Sequence, residues 1–146
     1  MGKILLVLFI VVLLPVLLVA ALIYFTWGLN LSVLIWILWG LQGRYILFVH
    51  SDSPIWSEYI EQEILPHIME NAVILNWSER KQWGNSLAVL AFKHFGGYQN
   101  FNPMAIVFHP FHFHKMYRFY EAFRDFKHGK NEKLDKIKID FLESIK

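Results

Sequence analysis

The hydrophobic pattern divides the chain into an apolar N-terminal part and a mixed remainder. Residues 4–43 contain no Asp, Glu, Lys, Arg or His. A helix needs about 20 apolar residues to cross about 30 Å of hydrocarbon. The apolar run exceeds the roughly 7–15-residue core of a signal peptide, so we favour an anchor over a cleaved signal. The sequence therefore predicts a transmembrane helix over residues 4–26, with the lipid bilayer as a partner.

A possible break follows this helix at Gly28-Leu29-Asn30. It predicts a second, short apolar helix over residues 31–42, which would rise only about 18 Å and is too short to span a bilayer alone. We therefore expect residues 1–43 to form a hairpin or re-entrant anchor, with the domain at residues 44–146 in the cytoplasm. The alternative is a single anchor with the domain on the outer side.

Beyond residue 44, short apolar runs alternate with amphipathic segments. Pro54 fits a helix start and Pro66 a helix end. Asn76 or Ser78 would cap a second helix, and a third would begin near Asn131. The predicted strands cover residues 45–50, 72–75, 104–108 and 116–123.

The resulting order, β-α-β-α-β-β-α, predicts an α/β fold with helices on both faces of one sheet. Strands separated by helices imply parallel pairing, and the short link before the fourth strand implies an antiparallel hairpin. The chain contains no cysteine, and its net charge is only +2. This composition excludes thiol chemistry and argues against nucleic acid as a partner. We expect no cofactor.

The element order resembles the thioredoxin fold over residues 45–146, and Asn102-Pro103 stands directly before the third strand. The resemblance implies a cis-proline at Pro103. Thioredoxins have two cysteines at the start of the first helix, where this chain has DSPI at 52–55. Thiol–disulfide exchange needs a thiolate, so the implied domain is redox-inactive. The chain is also similar to uncharacterised membrane-anchored bacterial proteins with SDSPIW-like and LNWSER-like segments, which implies a bacterial inner-membrane location but no activity.

Four polar segments would meet where the strands of this sheet end, and ligands favour the carboxyl ends of parallel strands. Together they define a predicted rim. Its residues are Ser51, Asp52, Ser53, Trp56, Asn76, Trp77, Ser78, Arg80, Asn102, Pro103, Arg124, Asp125 and His128.

Three functions remain open at this stage. The resemblance favours a binding or assembly module that recognises a protein or peptide segment beside Pro103 at the membrane surface. An alternative is a hydrolase or transferase that uses Asp52, Asn76 and Arg80 at the rim. A second alternative is a metal site in the HPFHFH turn, since imidazoles are common zinc and copper ligands. Its candidate ligands are His109, His112 and His114.

Overall fold

The computed structural model describes residues 2–97 and 102–146, and for residues 2–8 and 10 it describes the backbone alone. The chain forms a mixed α/β fold behind a long N-terminal helix. In chain order the elements are α1 (Gly2–Leu38), a 3-10 turn (Gly40–Gln42), β1 (Ile46–His50), α2 (Ser57–Tyr59), a π-helical turn (Ile60–Ile64), α3 (Leu65–Ile68), β2 (Ala72–Asn76), a 3-10 helix (Trp77–Gln82), α4 (Leu87–Phe95), β3 (Met104–Val107), β4 (Lys115–Arg118), α5 (Tyr120–Phe126) and α6 (Glu132–Ser144).

The four strands form one sheet in the order β2-β1-β3-β4. β1 and β2 are parallel, as predicted, with His50 opposite Asn76 at their carboxyl ends. β3 is antiparallel to β1, with Met104 opposite Val49, so the expected parallel pairing of the third strand is wrong. The chain enters β3 beside the carboxyl end of β1, and a strand that starts there must run in the opposite direction. β3 and β4 form the predicted antiparallel hairpin.

The two faces of the sheet have separate cores because successive strand residues point to opposite sides. On one face, Phe48 of β1 packs with Phe123 and Phe141 beneath the helices that follow β1 and β4. On the other face, Val49 packs with residues of α4 and with Trp39, just beyond the end of α1. The predicted anchor therefore supplies part of the domain core.

α1 is a single helix, so the predicted break at Gly28-Leu29-Asn30 and the separate helix over 31–42 are wrong. The side chain of Asn30 donates to the carbonyl of Thr26 inside the helix, at 3.0 Å. Gly28 faces His94 so closely that an added Cβ would lie 2.4 Å from its Nε2. The domain thus packs against α1 at the point where the sequence favours a helix least. Because α1 forms no hairpin, the expected cytoplasmic location of the domain has no support.

Three other predicted boundaries change. The helical stretch after β1 continues through Pro66, because the π-helical turn places this proline in the first turn of α3, where a missing N–H costs little. The second predicted helix is two segments, since Asn76 caps the 3-10 helix and Ser86 caps α4. The fourth strand stops at Arg118, and α5 follows. Phe119, Ala122 and Phe123 are buried at helical spacing, which the sequence analysis took for a strand.

Candidate functional site

Three of the four predicted polar segments meet at one edge of the sheet. β1 and β2 end side by side at His50 and Asn76, and β3 begins beside them just after Pro103. The peptide bond between Asn102 and Pro103 is cis. We call residues 50–53, 76–80 and 102–103 the carboxyl edge. The convergence predicted for these loops is therefore observed.

A closed set of hydrogen bonds joins two of these loops. The Nδ2 of Asn76 donates to the Oδ1 of Asp52 at 2.9 Å, and the backbone N–H of Asp52 donates to the Oγ of Ser78 at 3.0 Å. The backbone N–H of Ser78 completes the set by donating to the Oδ1 of Asn76 at 3.0 Å. These polar groups satisfy one another. They hold the loops in a fixed arrangement and do not point at a missing ligand.

Trp77 and Arg80 form the outer wall of the same loop. The Nη1 of Arg80 donates to the carbonyl of Trp77 at 3.2 Å, and its guanidinium lies 4.9 Å from the centre of the Trp77 ring. The ring itself contacts Trp83 and Phe92, with centroids 5.6 and 5.7 Å away. Trp77 is thus anchored in the core, and Arg80 extends an exposed cation over it.

Three polar atoms near this edge are buried without a hydrogen-bond partner among the described residues. They are the Nδ1 of His50, the Oδ1 of Asn102 and the Nε1 of Trp56. A buried polar atom without a partner is costly, and native proteins keep few of them. His50, the last residue of β1, was not part of the predicted rim. The alternation along β1 could have placed its side chain on the same face as Phe48.

A small cleft lies beside the carboxyl edge, with a volume of about 250 Å³. Ile55, Trp56 and Phe123 form its apolar floor, and the rings of Trp56 and Phe123 are 5.8 Å apart. Arg124 and Lys127 of α5 and the turn after it add two exposed cations to its wall. We call this feature the Trp56 cleft. Its chemistry suits an apolar side chain next to a carboxylate.

Two residues of the predicted rim do not join this site. Asp125 pairs with Lys133 of α6 at 2.5 Å. This hydrogen bond and the charge of Lys133 hold the pKa of Asp125 below its usual value. His128 follows α5, where its backbone N–H donates to the carbonyl of Asp125 at 2.9 Å. Asp125 and His128 were predicted to lie at the end of β4. In the structure Phe119 lies at this end, and its backbone N–H donates to the carbonyl of Pro103 at 2.9 Å.

An apolar groove of about 660 Å³ lies beside α1. We call it the α1 groove. One wall is α1, the opposite wall is the loop after β3, and the end of α4 closes it. Its lining includes Tyr24, Phe25, Gly28, Leu29, Ser32, Trp36, His94, Phe95, Phe111, His112, Phe113, His114 and Met116. The sequence did not predict the α1 groove, because the predicted anchor and the predicted domain were separate units.

Two histidines of the groove pack against aromatic rings at a tilt. His94 lies 4.3 Å from the Tyr24 ring, and His114 lies 4.4 Å from the Phe95 ring. Burial lowers the pKa of both imidazoles, and the charge of His94 lowers the pKa of His114 further. Near neutral pH the groove therefore has two uncharged imidazoles on an apolar wall.

The HPFHFH turn does not assemble a metal site. His109 bonds the carbonyl of Ser144 through its Nε2 at 2.8 Å, and His112 bonds the carbonyl of Pro110 through its Nδ1 at 2.9 Å. His114 instead packs in the groove. Within the described part of the chain, no three His, Cys, Asp or Glu side chains lie close enough to hold a metal ion.

Comparison of the chain with protein-family models, curated proteins and solved structures finds no match. The class that can be stated is therefore the structural one. The chain is a mixed α/β protein with one N-terminal helix long and apolar enough, by length and composition, to cross a membrane.

Proposed function

We propose that this chain is a membrane-anchored, redox-inactive thioredoxin-like module that binds a protein segment at the membrane surface. The strand order β2-β1-β3-β4, with β1 and β2 parallel and Pro103 leading into β3, supports the thioredoxin-like assignment. The chain has no thiol with which to exchange disulfides. Recognition by shape and charge is the property of such a domain that does not depend on cysteine.

The membrane anchor in this proposal is the N-terminal part of α1. The described side chains before Gly28 are exposed, whereas the buried face of the helix begins at Gly28 and continues through Leu31 and Ile35. Tyr24 and Trp27 stand at the boundary, and such aromatic residues favour the level of the lipid headgroups. The Oη of Tyr24 also donates to the carbonyl of His94 at 3.3 Å. Together these contacts support a position of the domain directly against the bilayer.

The Trp56 cleft carries the binding proposal. It combines an apolar floor with Arg124 and Lys127, and it lies beside loops that the Asp52, Asn76 and Ser78 hydrogen bonds hold in place. A rigid site loses little conformational entropy when a ligand binds. We propose that the cleft receives an aromatic or aliphatic side chain of an extended segment, and that the two cations hold a neighbouring carboxylate.

Catalysis at the same edge is the weaker candidate. A serine nucleophile needs an adjacent base. The Oγ of Ser53 instead accepts from the backbone N–H of Ile55 at 3.4 Å. The Oδ1 of Asp52 accepts from Asn76, and the backbone N–H of Asp52 donates to Ser78. These contacts describe loop fixation, so they favour a binding role over a hydrolase or transferase.

A peptide-display selection against the full chain in lipid nanodiscs tests the proposal. We expect enrichment of segments that combine an acidic residue with a nearby aromatic or aliphatic residue. Reversing the two cations with Arg124→Glu and Lys127→Glu should remove the enrichment. The matched control Lys136→Glu changes an exposed lysine on α6 and should leave it intact. Equal enrichment in all three proteins, with unchanged circular dichroism, would overturn the proposed site.

A further inference from the structure

We infer that α1 is also a parallel self-association helix, through which two copies of this chain pair along the face that points away from the domain. The face is a stripe of eight positions separated by alternating steps of four and three residues. It consists of Val12, Val16, Val19, Ile23, Thr26, Asn30, Val33 and Ile37. The part of the inference before Gly28 depends on the proposed membrane anchoring, and the part after it does not.

The composition of this stripe differs from the rest of the helix. Seven of its eight residues are β-branched, and between positions 12 and 37 the only other β-branched residue is Ile35, which the domain buries. Leucines dominate the flanks. A repeat of 3.5 residues keeps one seam of a helix facing a partner helix over many turns. Side chains with a single preferred rotamer lose little freedom when they pack there.

The stripe is exposed along its whole length. The exposed fractions of Val12, Ile23, Val33 and Ile37 are 68%, 65%, 38% and 52%. At about 100° per residue, the stripe lies roughly opposite the face of α1 that contacts the domain. Two copies can therefore bring these faces together while their domains point away from each other.

The hydrocarbon of a bilayer covers only part of α1. α1 is about 55 Å long, since it has 37 residues. Even at a tilt of about 40°, a 30 Å hydrocarbon layer holds only about 26 helical residues. With the part of α1 before Gly28 as the proposed membrane anchor, Val33 and Ile37 lie beyond the hydrocarbon on the side of the domain. Burial of their exposed apolar surface against a second helix is then favourable in free energy.

Asn30 indicates that the partner is a second copy of the same chain. It is the only strongly polar residue of the stripe, at the position that coiled coils call a. One amide hydrogen bond goes to the carbonyl of Thr26, which leaves its Oδ1 free of any described bond. In a symmetric parallel pair the two Asn30 side chains meet at the same height and can bond to each other. An asparagine at position a favours the two-stranded, in-register arrangement.

The pair would leave the other sites accessible. The residues that α1 contributes to the α1 groove, among them Tyr24, Ser32 and Trp36, are not part of the stripe. The carboxyl edge is formed by the loops that follow β1 and β2 and by the chain that enters β3, and it contains no residue of the stripe. Self-association and segment binding are therefore separable in an experiment.

The absence of cysteine allows a direct test, because each single-cysteine variant of the full chain has one possible disulfide partner. In isolated membranes under mild oxidation, Val33→Cys and Ile37→Cys should form a linked dimer roughly tenfold faster than Leu29→Cys and Leu38→Cys, since a disulfide requires Cα atoms within about 7 Å. The control positions lie on the flanks of the same turns and are also exposed. Val19→Cys and Ile23→Cys should exceed Leu18→Cys in the same way.

Uniform linkage at all positions, or none at any, would overturn the inference. A second measurement uses no cysteine: the mass of the full chain in detergent by light scattering should be that of a dimer, and Asn30→Ala should raise the dissociation constant. A monomer, or no effect of Asn30→Ala, would also overturn it. If only the positions at 33 and 37 link and alkali extracts the chain from membranes, the anchoring proposal fails while pairing after Gly28 remains.

Discussion

The two halves of α1 share one helix and a similar composition, yet they have different environments. Between residues 11 and 27 the side chains are exposed on all sides of the helix. After Gly28, every third or fourth residue is buried, and Leu31 and Ile35 are each only 1% exposed. The difference shows that apolar character alone does not define a membrane segment. The fit of small and large side chains against the sheet assigns the second half to the domain.

Truncation gives the largest expected contrast between the halves. A chain that begins at residue 27 keeps the packed half, whereas one that begins at residue 40 loses Leu31, Ile35 and Trp39. Burial of three such side chains contributes roughly 5–9 kcal/mol, which approaches the whole stability of about 5–15 kcal/mol of a small domain. We expect cooperative urea unfolding from the longer chain and aggregation of the shorter one. Equal behaviour would mean that α1 is only a tether.

A single substitution in each half should show the same contrast at smaller scale. Ile35→Ala is expected to reduce the free energy of unfolding by about 3 kcal/mol, because it leaves a cavity against the sheet. Leu18→Ala, in the exposed half, should change it by less than about 0.5 kcal/mol. Chemical denaturation of both variants in one detergent measures the difference. A similar loss in both would remove the distinction between the halves.

Gly28 marks where the halves meet, and Gly40 provides a matched control. A Cβ at residue 28 would lie 2.4 Å from the His94 Nε2, while a Cβ at residue 40 would meet nothing within 4 Å. Gly28→Ala should therefore lose about 1–2 kcal/mol through displacement of the His94 ring, despite a better helix propensity. Gly40→Ala should be neutral.

Acidification should produce the smallest effect, through the two histidines of the α1 groove, His94 and His114. Because burial lowers the folded pKa of His94 and His114, the folded state takes up protons less readily than the unfolded state. The two histidines therefore make their full contribution to the free energy of unfolding above their unfolded pKa of about 6.5. This contribution is lost as the pH falls through their folded pKa values. The midpoint temperature should fall between pH 7.5 and 5. His114→Phe should reduce this dependence, and His128→Gln should not. A midpoint temperature that does not change with pH in the parent protein would contradict this prediction.

The sequence predicted the parts of the fold that depend on local signals. Alternating apolar runs located β1, β2 and β3, and Gly96-Gly97 correctly ended α4. The prediction failed where a contact with a segment distant in sequence overrides a local sequence signal. The Gly28–Asn30 segment stays helical because the domain packs against it. No periodicity within residues 28–39 could reveal that its partner is a sheet formed later in the chain.

In the candidate site, too, features set by local sequence signals were predicted and features set by distant contacts were not. The loops that end β1 and β2 were predicted to converge, since parallel neighbours end at one edge. The positions of Asp125 and His128 were wrong because the boundary between β4 and α5 was shifted by several residues. The α1 groove could not be predicted, because it lies between segments about 70 to 90 residues apart.

The joint between α1 and the sheet has a mechanical consequence. The backbone N–H of Arg44 donates to the carbonyl of Trp39, and the side chain of Asn71 donates to the carbonyl of Gly43, at 2.9 and 2.8 Å. These hydrogen bonds fix α1 to the domain, so the helix and the domain form one rigid unit without a hinge. Where α1 crosses a bilayer, a change in bilayer thickness that leans the helix must swing the whole globule through the same angle.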